Sequence, residues 1–245
     1  MDWQDGSKRL TEVLELEKAP VAVTYTDKLP EGLTPHKSRV CSALRLAAGG
    51  KTVALCRETS TCGGGTLYLG FARQAPEQAR TLREFLIEGE KRFSCAAALL
   101  RMQVLSEAQP PLGAADYVVF APLEEAALAP DVAVITCNAG QAARLVNLAT
   151  WETGEPLHCD PSGALCRAAI TYPLVTGRVN VSFGDVTARR SERMPAGDLY
   201  VSLPLTHLRS VVGALDRCSA GTATIEIPPG MRRQMAQGGG EVMEV

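Results

Sequence analysis

Val21-Ala22-Val23-Thr24 and, far downstream, Val132-Ala133-Val134-Ile135-Thr136 are short runs of nearly the same wording. Each reads as a buried strand: valine, isoleucine and threonine suit a pleated surface, and Pro20 and Pro130 punctuate the runs. A stretch at helical spacing follows each run, and then a cysteine-bearing loop. In the first copy the loop passes from Gly49-Gly50-Lys51 through Cys56 to Cys62-Gly63-Gly64-Gly65. In the second it passes from Thr153-Gly154-Glu155 through His158-Cys159 to Gly163-Ala164-Leu165-Cys166. The copies close on Tyr117-Val118-Val119-Phe120-Ala121-Pro122 and Leu199-Tyr200-Val201-Ser202-Leu203-Pro204. The distance between matched features drifts along the chain, which excludes a fixed-period array and suits two diverged halves about a pseudo-twofold axis. Chance recurrence of short valine and alanine strings is the alternative.

The expected fold class is α+β, with two pseudo-symmetric halves and short mixed or antiparallel sheets merged into one globular unit. An N-terminal helix occupies 1–19, the first half 20–130, the second half 131–216 and a loose tail 217–245. Helical spacing places Leu10, Val13 and Leu14 on one face, and Leu208, Val211, Val212 and Leu215 on another. It also predicts a helix over 38–48 with Cys41 in its first turn, one from Pro76 with Ala79, Leu82, Phe85 and Leu86 packed inward, and one over 139–151. Thr66 to Phe71 and Thr224 to Ile227 read as strands, and Cys95, flanked by alanines, as core.

The chain has 245 residues, 46% of them hydrophobic, a formal charge of −2 and eight cysteines. So small a charge, without a basic cluster, argues against a nucleic-acid partner. The start lacks an apolar leader and no apolar run approaches a membrane span, so the expectation is a cytosolic protein. Cytosolic thiols stay reduced, which leaves metal binding, redox chemistry or plain packing for the cysteines.

Gly63, Gly64 and Gly65 lose much backbone entropy on ordering, and that cost suits a loop that something approaches closely. No Gly-Lys-Ser/Thr follows and no helix is expected to open there, which excludes a phosphate-binding P-loop. The spacings Cys56 to Cys62 and Cys159 to Cys166 match neither zinc knuckles nor ferredoxin runs. The duplication, however, brings the two loops together, and soft thiolates from both halves select zinc or iron–sulfur over hard cations. His158 is a further nitrogen donor or an exposed loop residue. Arg189 and Arg190 offer a fork for a small anionic molecule in the cleft between halves, or a solvated pair.

These residues together resemble the family called domain of unknown function 169. The resemblance rests on Pro20-Val21-Ala22-Val23, Val40-Cys41-Ser42-Ala43-Leu44, Cys62-Gly63-Gly64 with Leu69-Gly70-Phe71, Ala121-Pro122-Leu123, Pro130-Asp131-Val132, Cys166 and Leu203-Pro204. It implies Cys41, Cys62 and Cys166 as the ligands to carry over, with Cys56 and Cys159 behind them. The family often carries a further cysteine near Phe183-Gly184, where this chain continues Asp185-Val186-Thr187-Ala188-Arg189. Three thiolates leave one iron of a 4Fe-4S cluster open, and the reading is of an iron–sulfur protein acting on a small anion. A metal-free small-molecule binding module and a structural zinc protein are the alternatives. Oligomeric state is not legible.

Overall fold

The computed structural model describes residues 3–73, 75–108, 111–161 and 163–231. Helix α1 (Trp3–Leu14) leads to β1 (Val21–Thr26), α2 (Val40–Ala48) and β2 (Val53–Cys56). Three helices follow, α3 (Gly63–Tyr68), α4 (Pro76–Glu84) and α5 (Ala96–Leu105), and then β3 (Tyr117–Pro122) and β4 (Val132–Cys137). Beyond them come α6 (Ala139–Thr150), a π turn (Arg167–Thr171), α7 (Tyr172–Thr176), β5 (Asn180–Ser182) and α8 (Val186–Ser191). The chain then forms β6 (Leu199–Pro204), α9 (Leu205–Ala214) and α10 (Ser219–Thr222).

The strands make one six-stranded antiparallel sheet in the order β2-β3-β1-β4-β6-β5. The two Val-Ala-Val runs meet at its centre, with Val21 opposite Val134, Ala22 opposite Ala133 and Val23 opposite Val132. Because side chains alternate along a strand, the four valines face one side and the two alanines the other. The alanine face carries α1, α6 and α9 through Leu10, Leu14, Leu145, Leu148, Leu208 and Val211. The valine face carries α2, Leu69 and the Leu165–Ile170 segment. The fold is α+β, and the strand order reads alike from either edge.

The helices and cysteine loops do not follow that symmetry. Helix α2 lies on the valine face, whereas α6, in the corresponding place after β4, lies on the alanine face. Cys62 comes after the second strand of its half and Cys166 before the second strand of its own. The expected equivalence of these cysteines is therefore corrected.

Local expectations change for identifiable reasons. The Gly63-Gly64-Gly65 run opens α3, and Thr66 lies in that helix, not in a strand. A Cβ on Gly65 would come within 2.7 Å of Val40 Cγ2, so glycine lets α3 lie against α2. The stripe on α4 does not reach the sheet: none of its residues is buried, and Ala79 and Leu82, with Leu86, face Ala96, Leu99 and Leu100 of α5 across a shallow hollow. Cys95 precedes α5 and is exposed. Thr224 to Ile227 form no strand, and Gly238 to Gly240 lie outside the described residues.

Candidate functional site

On the valine face, three cysteines come from three separate segments. Cys41 lies in the first turn of α2, Cys62 immediately precedes α3, and Cys166 precedes the π turn. Burial, followed by Glu192 and Cys62, pushes the Cys41 thiol up to about 12. Burial, then the charges of Cys62, Asp185 and Cys41, push Cys166 well above the ordinary thiol range. The three sulfurs are thus within electrostatic reach of one another. At neutral pH Cys41 and Cys166 are protonated, and a cation binding them must displace protons.

Hydrogen bonds fix the walls. Asp185 caps α8 by accepting from Ala188 N at 2.7 Å, and its other oxygen accepts Leu165 N at 2.8 Å. This ties the residue before Cys166 to α8. Thr171 Oγ1 donates to Tyr68 O at 2.8 Å, joining the π turn to α3. Glu192 accepts from Ser42 Oγ at 2.6 Å and Arg45 Nε at 3.1 Å, and from the Cys41 thiol at 3.7 Å. Burial alone would raise the Glu192 carboxyl, but the bonds from Ser42 and Arg45 outweigh it and hold it below the usual range.

Several neighbours of the thiols carry no clear signal in the sequence. Among the described residues the buried Tyr25 Oη has no hydrogen-bond partner, and burial, then Asp131 and Cys166, raise its proton affinity. Burial and then Cys166 also raise Tyr68. Arg167, the residue after Cys166, is 2% exposed and pairs with Asp160 and with Ser106. Its signal was a lone cation in the apolar run Ala164-Leu165-Cys166-Arg167-Ala168-Ala169-Ile170. Asn180, fully buried, fixes the same segment through Ala168 O at 2.7 Å and Asp160 O at 3.0 Å.

Other expected residues lie elsewhere. Alternation along β2 turns Cys56 away from Leu55, and its sulfur rests 3.4 Å from Thr59 Oγ1. Cys159 and His158 are exposed, and His158 contributes its carbonyl to the Tyr172 hydroxyl at 3.0 Å. Arg189 does not offer a free fork: its guanidinium donates to the carbonyls of Phe183, Asp198, Pro195 and Ala196 at 2.6–3.0 Å. Arg190 is exposed. Gly63 and Gly64 follow Cys62, and a Cβ on Gly64 would sit 3.9 Å from Cys62 Sγ.

Beside the thiols, a cavity of about 240 Å³ opens over β1, β4 and β6, between α2 and the 192–198 loop, with Cys41 in its wall. Among the described residues, no three His, Cys, Asp or Glu side chains form a group that could hold a metal ion. None of the described helices is long and apolar enough to cross a membrane.

Comparison with known proteins adds kinship without activity. The model of the DUF169 family, described as an uncharacterised ArCR family, matches residues 9–214. An uncharacterized protein of Methanocaldococcus jannaschii is 24% identical over 221 residues, covering 87% of this chain and 93% of its own. No solved structure matches the chain significantly.

Proposed function

The chain belongs to the DUF169 family, and from the geometry of its thiols we propose that it is an iron–sulfur protein whose cluster is held by Cys41, Cys62 and Cys166. The observation that carries this reading is that three cysteines from separate segments lie on one face of the sheet, close enough that ionising one would raise the proton affinity of the others. A buried hydroxyl with no partner among the described residues, Tyr25 Oη, is near enough for Cys166 to raise its proton affinity, and an unpaired buried donor calls for an acceptor. Hydrogen bonds to cluster sulfurs tune such centres, which gives Tyr25 a role.

The donor set favours a cluster over zinc. Structural zinc takes four ligands at about 2.0–2.3 Å, whereas this set has three thiols that are not gathered around one ion. A cubane is larger than an ion and asks for less convergence. The loop after Phe183-Gly184 supplies no fourth thiol: Asp185 stands there, and its carboxylate is committed to Leu165 N and Ala188 N. Cys41, Cys62 and Cys166 would hold such a cluster, which would supply Lewis-acid or one-electron chemistry. The residues around it do the positioning: Asp185 and Arg167 hold the Cys166 segment, Glu192 orients Cys41, and the apolar cavity beside Cys41 receives a small molecule and excludes water.

Anaerobic purification followed by an absorption spectrum and iron, sulfide and zinc analysis tests the reading. Brown protein with about four irons and four sulfides per chain supports it. Colourless protein carrying zinc without sulfide, or no metal after reconstitution with iron and sulfide, overturns it.

A further inference from the structure

The cavity beside Cys41 has a chemistry of its own. Its floor is Val21, Val134 and Tyr200, and its walls include Leu44, Ala48 and Leu165, so a ligand meets mostly hydrocarbon. By the ratio of a cavity of about 150 Å³ that takes a benzene ring, its volume of about 240 Å³ holds about ten non-hydrogen atoms. The charged groups stand around this apolar interior. Lys18 pairs with Asp198 at 2.5 Å and Arg45 with Glu192 at 3.1 Å. A third lining cation, Arg193, is exposed, and no carboxylate of the described residues pairs with it. Its φ of +51° lies in the left-handed region that favours glycine. That conformation ends α8, with Met194 N donating to Arg189 O at 2.9 Å, and it leaves Arg193 at the edge of the apolar hollow.

We propose that this cavity binds a small monoanion with an apolar body, its hydrocarbon against Val21, Leu44, Val134 and Leu165 and its anionic end on Arg193. This deepens the cluster reading by naming the ligand class beside Cys41, and it rests on that reading only for what happens to the ligand once bound. The expected anion site moves from Arg189, whose guanidinium is committed to backbone carbonyls, to Arg193.

Octanoate, a ten-heavy-atom monoanion, is the probe, with octanol and octylamine as the neutral and cationic counterparts. Calorimetric titration of the full chain is expected to give saturable binding of octanoate, weaker binding of octanol and none of octylamine. Arg193→Gln should weaken octanoate about three- to fivefold, as one exposed ion pair does, and leave octanol unchanged. Ala48→Phe, which fills the cavity from a half-buried position, should abolish both. Absence of saturable octanoate binding, octanoate affinity unchanged in Arg193→Gln, or binding that survives Ala48→Phe in a folded variant overturns the proposal. Metal is assayed in the same samples. Protein that holds iron but not octanoate sinks the cavity assignment alone, whereas octanoate binding by metal-free protein supports it and separates it from the cluster.

Discussion

Leu165 donates its backbone N–H to the carboxylate of Asp185 at 2.8 Å, so the residue before Cys166 is anchored to the start of α8. The other carboxylate oxygen caps that helix through Ala188 N. Replacing Asp185 by alanine strands two donors at once. Loss of a cap and of a partly buried acceptor is expected to cost about 1–3 kcal/mol, read from urea unfolding. An unchanged midpoint would show that Asp185 does not hold the Cys166 segment.

Gly65 is a packing residue. Gly65→Ala sets a Cβ against Val40 Cγ2 and should destabilise by about 1–3 kcal/mol through overpacking. The double variant Gly65→Ala, Val40→Ala removes the clash, so its cost should fall below the sum of the single costs. Additive costs in the thermal or urea data would mean that α3 and α2 do not press on each other there.

Tyr25 provides a test that depends on occupancy. Tyr25→Phe removes a buried hydroxyl without a partner, so in metal-free protein it should be neutral or stabilising by about 1 kcal/mol. In metal-loaded protein the same change should shift the reduction potential of the bound cluster, because a hydrogen bond to it is lost. A potential identical to wild type by redox titration would remove Tyr25 from the site.

Alkylation should sort the cysteines by environment. Hydrogen bonds from the backbone N–H of Ala98 and then from Ser94 lower the proton affinity of exposed Cys95, so its thiolate fraction rises first as pH increases. Cys41 and Cys166, raised by burial, stay protonated across the neutral range and react slowly. Limited iodoacetamide treatment of metal-free protein at pH 7–8, followed by peptide mapping, should find Cys95 modified well before Cys41 and Cys166. Modification of Cys166 at the rate of Cys95 would contradict the described burial.

The elements legible in the sequence were those whose local pattern agrees with their final packing. Leu10 and Leu14 in α1, Ala142 and Leu145 in α6, and Leu208, Val211 and Val212 in α9 all face the core as their spacing implies. The Val-Ala-Val strands were legible too, although their pairing with each other is a tertiary fact. Helix α3 was not, because three glycines disfavour helix by about 1 kcal/mol each, and the compensating contact with Val40 lies elsewhere in the chain. Cys95 departs from its local pattern for a related reason: alanines beside it suggest a core, yet α4 and α5 face each other instead of the sheet. Cys41, Cys62 and Cys166 could be named from the sequence. Asp185, Glu192 and Tyr25 could not, since only folding brings them to the thiols.

Cys41, Cys62 and Cys166 are proposed to share one cluster. That sharing is tested most directly by iron content per chain after anaerobic reconstitution of five single variants: Cys41→Ser, Cys62→Ser, Cys166→Ser, Cys95→Ser and Cys159→Ser. The first three should lose most of the iron and the visible absorption, while the last two keep wild-type values. Iron retained in full by Cys41→Ser, Cys62→Ser or Cys166→Ser, or lost equally in Cys95→Ser, would contradict it.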